Sequence, residues 1–194
     1  KPGLISDLEI QFIPIKKTGP EDIQIQVKGF SLNYADLLCV QGLYPNMPPY
    51  PFTPGSEVSG IVTEIGDKVT EFVTGDEVIA VMNNQLGGHS EIVTVHKDLA
   101  VKKPKNITFE EACALPAVFL TVYHIFKKAH VREGEKILIQ TATGGVGLMA
   151  IQFAKRKRAT IFATAGSDEK LAYLKKINIK YPINSRKVDS ARKI

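Results

Sequence analysis

Cysteine is scarce in this chain: two occur in 194 residues, Cys39 and Cys113, and they form no C-x-x-C pair. That argues against a disulfide scaffold and for a reducing compartment, read here as the cytoplasm. An apolar run of about 18 residues, the least a spanning helix needs, is missing, so no membrane is expected as a partner. The N-terminus also lacks the apolar core of a signal peptide. The chain opens on Lys1 rather than Met, so it is expected to be an excised or processed piece. The net charge is +5, with local basic runs at Lys155-Arg-Lys-Arg158 and Lys175-Lys176. No aromatic residues interleave with these runs. They therefore read as solvated helix faces near an anionic ligand rather than as a nucleic-acid surface. What is present is ordinary for a globular protein: 44% apolar and 23% charged residues, enough for one large or two small domains.

Residues 1–108 read as mostly β. Leu8–Ile15 and Asp22–Lys28 alternate apolar and polar residues, the period of half-buried strands, with Thr18-Gly-Pro-Glu-Asp as the turn between them. Asn33–Gly42 reads as a short helix. A loop crowded with Pro45, Pro48, Pro49, Pro51 and Pro54 follows. Val58–Ile65, Glu77–Val81 and Glu91–Val95 are further strands, and short strands between glycine and proline turns suggest a compact barrel-like domain.

The pattern changes near Thr108. Thr108-Phe-Glu-Glu111 is a capping box, predicting a helix to about Cys113; Pro116 interrupts, and Phe119–His130 makes a second helix. Lys136–Gln140 then reads as a buried strand, Ala142–Gly147 as a small-residue turn, and Leu148–Lys155 as the start of a helix. Strand, glycine-rich turn and helix in that order make a phosphate-binding turn, although an ordinary tight turn has the same local signature. Thr160–Ala165, Asp168–Ile177 and Tyr181–Asn184 continue as strand, helix and strand. The result is a βαβαβ half of a doubly wound parallel sheet, expected to be incomplete at its C-terminus.

The turn carries the dinucleotide fingerprint as Ala142-x-Gly144-x-x-Gly147, with Gly145 and Val146 between. Alanine is tolerable at the first position if its φ stays negative. A carboxylate at the end of the second strand would bond a ribose 2′-hydroxyl, but Ala165-Gly166 stands there. Ser167, Lys170 and Arg186 follow. A hydroxyl and two cations suit a 2′-phosphate, so NADPH is the expected cofactor. Taken singly, Ser167 reads equally well as a plain N-cap, and the two cations as solvated.

These residues also carry a resemblance. Asn33-Tyr-Ala-Asp36, Gly42-Leu-Tyr-Pro45, Pro54-Gly-Ser-Glu-Val-Ser-Gly60, Gly75-Asp-Glu-Val78 and Ala142–Gly147 resemble the medium-chain dehydrogenase/reductase superfamily, in its zinc-free quinone oxidoreductase branch. Leu115–Tyr123, Ala163–Lys170, Asn184-Ser-Arg-Lys-Val-Asp189 and the opening Gly3–Leu8 are similar to enoyl reductase domains of polyketide and animal-type fatty acid synthases. The resemblance covers essentially the whole chain. It implies an α/β architecture: a GroES-like β-barrel substrate domain over residues 1–108 and a truncated Rossmann NADPH-binding domain over 109–194.

The resemblance further implies hydride transfer from NADPH to the β-carbon of an α,β-unsaturated thioester. That thioester would be held on the phosphopantetheine arm of an acyl carrier protein, among neighbouring synthase domains. Asn33 and Thr121 would lie near the nicotinamide, and Tyr44 would deliver a proton at the α-carbon. Tyr44 as a turn aromatic packed under the proline-rich loop is the plainer reading. Zinc-dependent relatives carry cysteine and histidine at the places matching Asn33 and Ser56, and Asn and Ser are poor zinc ligands, so no metal is expected. A lysine and an aspartate used by the family are expected beyond Ile194. Arg158 and Asn178 stand where relatives usually have glycine after a helix. A free-standing quinone or enone reductase and a non-catalytic remnant are the competing readings.

Overall fold

In a computed structural model the described residues are 1–45, 47–82 and 86–187, and they form two compact units, Lys1–Ala117 and Val118–Ile194. The first unit holds β1 (Asp22–Phe30), α1 (Tyr34–Val40), β2 (Glu57–Ile65), β3 (Glu77–Val81), β4 (Ile92–His96), β5 (Ala100–Lys102) and α2 (Phe109–Cys113). Its strands pair antiparallel in the order β4-β1-β2-β3-β5. Alternation places Ile23 and Ile25 of β1, Val58 and Val62 of β2, Val78 and Ala80 of β3, and Val93 and Val95 of β4 in one core. Gly60 is required at the centre, because a Cβ there would stand 2.2 Å from the Gln26 carbonyl oxygen of the neighbouring strand.

The alternating segment Leu8–Ile15 does not become a strand. Ile10 and Phe12 are fully exposed at 102% and 105%. Alternation becomes a strand only when a neighbour pairs with it; both edges of β1, the next strand along, are taken by β2 and β4, and the segment does not pair with the outer edge of β4 or β5. The segment is tied down only beyond its end, where Thr94 Oγ1 donates to the Lys16 carbonyl (3.0 Å) and Lys16 pairs with Asp22 (3.3 Å). One strand was not anticipated and one helix start shifts. Three-residue β5 is too short to leave a period in the sequence. The helical pattern is interrupted before Pro116 as expected, but the second helix, α3 (Pro116–Lys128), opens on Pro116 itself rather than at Phe119, since its fixed φ fits there and its missing N–H is not needed.

The second unit adds β6 (Lys136–Ile139), α4 (Gly145–Arg156), β7 (Thr160–Ala165), α5 (Asp168–Lys176) and β8 (Tyr181–Asn184). The three strands are parallel in the order β6-β7-β8, the doubly wound half expected. Ile139, Ile151, Ala154, Ile161, Ala163 and Leu174 fill its core. Helix α4 starts a turn earlier than Leu148, because extended backbone at Gly144 caps it and Leu148 N–H already bonds to the Gly144 carbonyl (2.8 Å).

All three helices of this part of the chain end in one motif. Val131 N–H reaches the Phe126 carbonyl, Ala159 N–H the Ala154 carbonyl and Ile179 N–H the Leu174 carbonyl, each with a companion bond one residue in. The motif needs a left-handed residue, and His130 (φ 49°), Arg158 (φ 50°) and Asn178 (φ 62°) supply it without glycine. Arg158 pairs with Glu133 at 2.8 Å, but both side chains are mostly exposed, so the pair contributes about 1 kcal/mol at most. Arg158→Gly should therefore raise stability by up to about 1 kcal/mol, and Asn178→Gly by less, since Asn tolerates the left-handed region. Urea midpoints of the two variants check this, and a lower midpoint for Arg158→Gly contradicts it.

Candidate functional site

In the second unit the site is built where β6 turns into α4. Thr141 takes a left-handed conformation (φ 50°), while Ala142, fully buried, does not, so alanine at the first fingerprint position is unstrained. The turn is tied to β7: Ala142 N–H donates to the Thr164 carbonyl (2.9 Å) and Thr141 N–H to Thr164 Oγ1 (3.3 Å). Gly147 is where helix and turn touch. A Cβ there would lie 2.5 Å from the Thr141 carbonyl oxygen and 2.7 Å from Ala142 Cα. At Gly144 a Cβ would meet Thr141 oxygen at an ordinary 3.4 Å. Folding therefore demands glycine at 147 but not at 144. The first N–H groups of α4, at Gly145, Val146 and Gly147, have no carbonyl partner within the helix, as at any helix start. They fit a pyrophosphate, and Gly144 leaves room for one to approach.

At the far end of β7 the backbone of Gly166 lies under Arg186: a Cβ on Gly166 would stand 3.1 Å from Arg186 Nε. Ser167 caps α5, its Oγ accepting Lys170 N–H at 3.3 Å, as the plain reading holds; Lys170 and Arg186 are exposed. Two acids open α5, Asp168 and Glu169, and the first of them is engaged. Lys187 Nζ bonds it at 2.6 Å and Asn184 Nδ2 at 3.2 Å, and the Lys187 hydrogen bond holds its carboxyl below the usual range. Of the motif Asn184–Asp189, Val188 and Asp189 lie outside the described residues.

In the first unit the structure brings Asn33 and Ser56 together. Asn33 precedes α1, and its Nδ2 donates to Glu57 Oε1 (2.8 Å), Ser31 Oγ (2.9 Å) and Ser56 Oγ (3.3 Å). Ser31 Oγ also donates to Glu57 Oε1. Glu57 is 1% exposed, and its Oε2 accepts Ala117 N–H at 2.6 Å. Asp36, also buried, accepts Asn33 N–H (2.7 Å) and Gly55 N–H (3.2 Å), fixing both loops. His89 Nε2 donates to the Ser31 carbonyl at 3.2 Å and its ring packs on Phe30. Tyr44 is 38% exposed after α1 and is not drawn into this network. Thr121 is an exposed residue of α3.

Sequence reasoning missed Ser31, Asp36, Glu57 and His89. The usable signal was Glu57, a carboxylate at the head of the strand Glu57–Ile65, directly before Val58. Burial pushes the thiols of Cys39 and Cys113 up, so neither is suited to be a nucleophile. Among the described residues no three His, Cys, Asp or Glu side chains converge to hold a metal ion.

An antiparallel β unit followed by a parallel unit with a dinucleotide turn defines the class: a two-part oxidoreductase fold, GroES-like and Rossmann. Residues 19–105 match the alcohol dehydrogenase GroES-like domain, and residues 145–194 match the family described as zinc-binding dehydrogenase. The chain is 38% identical over 186 residues to a mycocerosic acid synthase-like polyketide synthase of Mycolicibacterium smegmatis, covering 95% of this chain and 9% of that one. It is 37% identical over 186 residues to the synaptic vesicle membrane protein VAT-1 homologue of Danio rerio, covering 93% and 37%. Among solved structures, CurK enoyl reductase superposes at a TM-score of 0.92 with 35% identity, over all of this chain and 60% of that one. Escherichia coli quinone oxidoreductase complexed with NADPH does so at 0.91 with 32%, over 100% and 59%. The chain thus spans less than half the length of those curated relatives. It belongs to the medium-chain dehydrogenase/reductase superfamily, and within it is like the enoyl reductase of polyketide synthases.

The two glycines of the turn make separable predictions. Gly147→Ala should cost the second unit about 1–3 kcal/mol through the clash with Thr141. Gly144→Ala should cost under about 1 kcal/mol, the ordinary loss at an N-cap. Chemical denaturation followed by circular dichroism separates them, and equal losses would refute the packing argument.

Proposed function

We propose that this chain is the substrate-side and nucleotide-side core of an NADPH-dependent enoyl reductase domain. That domain reduces the α,β-double bond of an enoyl thioester presented by an acyl carrier protein within a polyketide synthase. The observation that carries the cofactor is the end of β7. Arg186 lies over Gly166, no carboxylate stands at Ala165-Gly166, and the adjacent Asp168 is held by Lys187 and Asn184. A 2′-phosphate meets a cation there, with the charge of Asp168 already compensated by Lys187. NADPH, once bound, supplies the hydride.

The chain's residues do the rest. The N–H groups of Gly145, Val146 and Gly147 receive the pyrophosphate, with Ala142 and Gly144 shaping the turn. Ser167, Lys170 and Arg186 receive the 2′-phosphate, and Asn33 and Thr121 orient the nicotinamide. Charge that develops on the thioester oxygen needs a proton at the α-carbon, and the half-exposed phenol of Tyr44 is the donor on this part of the chain. The likeness to quinone oxidoreductase supports the second reading, a free-standing quinone or enone reductase.

Fluorescence titration should show NADPH binding at least about tenfold tighter than NADH, and Arg186→Ala should lose about tenfold for NADPH while leaving NADH unchanged. A preference for NADH sinks the cofactor assignment, and no binding of either favours a non-catalytic remnant. Activity on a crotonyl thioester but not on a quinone separates the first reading from the second. Tyr44→Phe should slow protonation or change α-carbon stereochemistry, read from product labelling in deuterated water; an unchanged rate and product remove Tyr44 from the mechanism.

A further inference from the structure

Glu57 is a buried carboxylate with no ion-pair partner among the described residues. Its two oxygens are instead met by three donors: Ser31 Oγ and Asn33 Nδ2 on Oε1, and Ala117 N–H on Oε2. An unpaired buried carboxylate is costly, so its neighbours are chosen as donors. This decides something an amide leaves open. Asn33 has an oxygen face and a nitrogen face that are nearly the same in shape, and only partners distinguish them. With a carboxylate oxygen at 2.8 Å, the nitrogen must turn inward, and Ser31 and Ser56 Oγ take up its remaining donor capacity. Asn33 Oδ1 therefore faces the other way, and no described residue donates to it.

We propose that Glu57 is a positioning residue that fixes the amide of Asn33, so that the site offers an acceptor rather than a donor. The acceptor would meet the carboxamide N–H of the nicotinamide. This rests on the reading that Asn33 lies against that ring. Glutamine at this place is the same shape but has one donor end. The Ala117 backbone N–H is fixed, so the new glutamine must keep its oxygen there and turn its nitrogen toward Ser31 and Asn33. Asn33 then flips, and its donor face points outward.

The test compares NADPH with its 3-acetylpyridine analogue, whose acetyl group has no N–H. The unaltered chain should bind NADPH about tenfold tighter than the analogue, the loss expected for an unmet hydrogen bond. Glu57→Gln should bring that ratio to about one. Glu57→Gln combined with Asn33→Asp should restore it, because donor and acceptor have been exchanged between the partners. An equal loss for both nucleotides in Glu57→Gln leaves the ratio standing and assigns Glu57 to the fold alone, overturning the proposal. If the unaltered chain binds neither nucleotide, the cofactor reading above fails and the proposal with it. Should Glu57→Gln not fold, hydrogen exchange of the Asn33 side-chain amide in the unaltered chain decides. Slow exchange is expected of a bonded inward nitrogen, and the rate of a free amide overturns the proposal.

Discussion

The contact of Gly147 with the Thr141 carbonyl is the constraint on which the nucleotide half depends. At that approach no side chain fits, and α4 can begin only where the turn leaves β6. Once the helix is seated there, Ala142 is sealed, and Thr141 and Ala142 are drawn across to Thr164 of the neighbouring strand. A single close approach thus fixes turn, helix and strand together. It leaves the opening N–H groups of α4 without helical partners, which is what an anion site requires. The same backbone economy appears at the other end of the helices, where paired bonds close each last turn around a left-handed residue.

Much of this was legible in the sequence. The fingerprint from Ala142 to Gly147, the capping box at Thr108, and the strands Thr160–Ala165 and Tyr181–Asn184 are encoded by local chemistry, and local chemistry decided them. Leu8–Ile15 was misread because alternation describes a strand's faces and says nothing of whether a neighbouring strand pairs with it. The break before Pro116 was read correctly and the start of α3 too late, because the same ring that stops a helix also starts one. Glu57 escaped notice for a different reason. Its type belongs on the surface, and only three-dimensional burial shows that Ser31, Asn33 and Ala117 were arranged to receive it. The engagement of Asp168 by Lys187 joins residues from different elements and could not be read from spacing either.

Electrostatics at the two candidate sites, one in each unit, follow opposite rules. Near β7 the groups are exposed, and once Asp168 and Lys187 have met, the cations Lys170 and Arg186 stand against Glu169 among the described residues, so specificity there follows the sign in excess. Around Asn33 the groups are largely withdrawn from water, and orientation rather than net charge is what the network controls.

The extended segment carrying Ile10 and Phe12 has a consequence outside chemistry. Two large apolar side chains in full contact with water make this segment an adhesive strip. Colloidal behaviour then becomes a contest between that strip and the +5 net charge. Added salt weakens the repulsion and leaves the stickiness intact, so the chain's solubility falls with ionic strength, the reverse of ordinary salting-in.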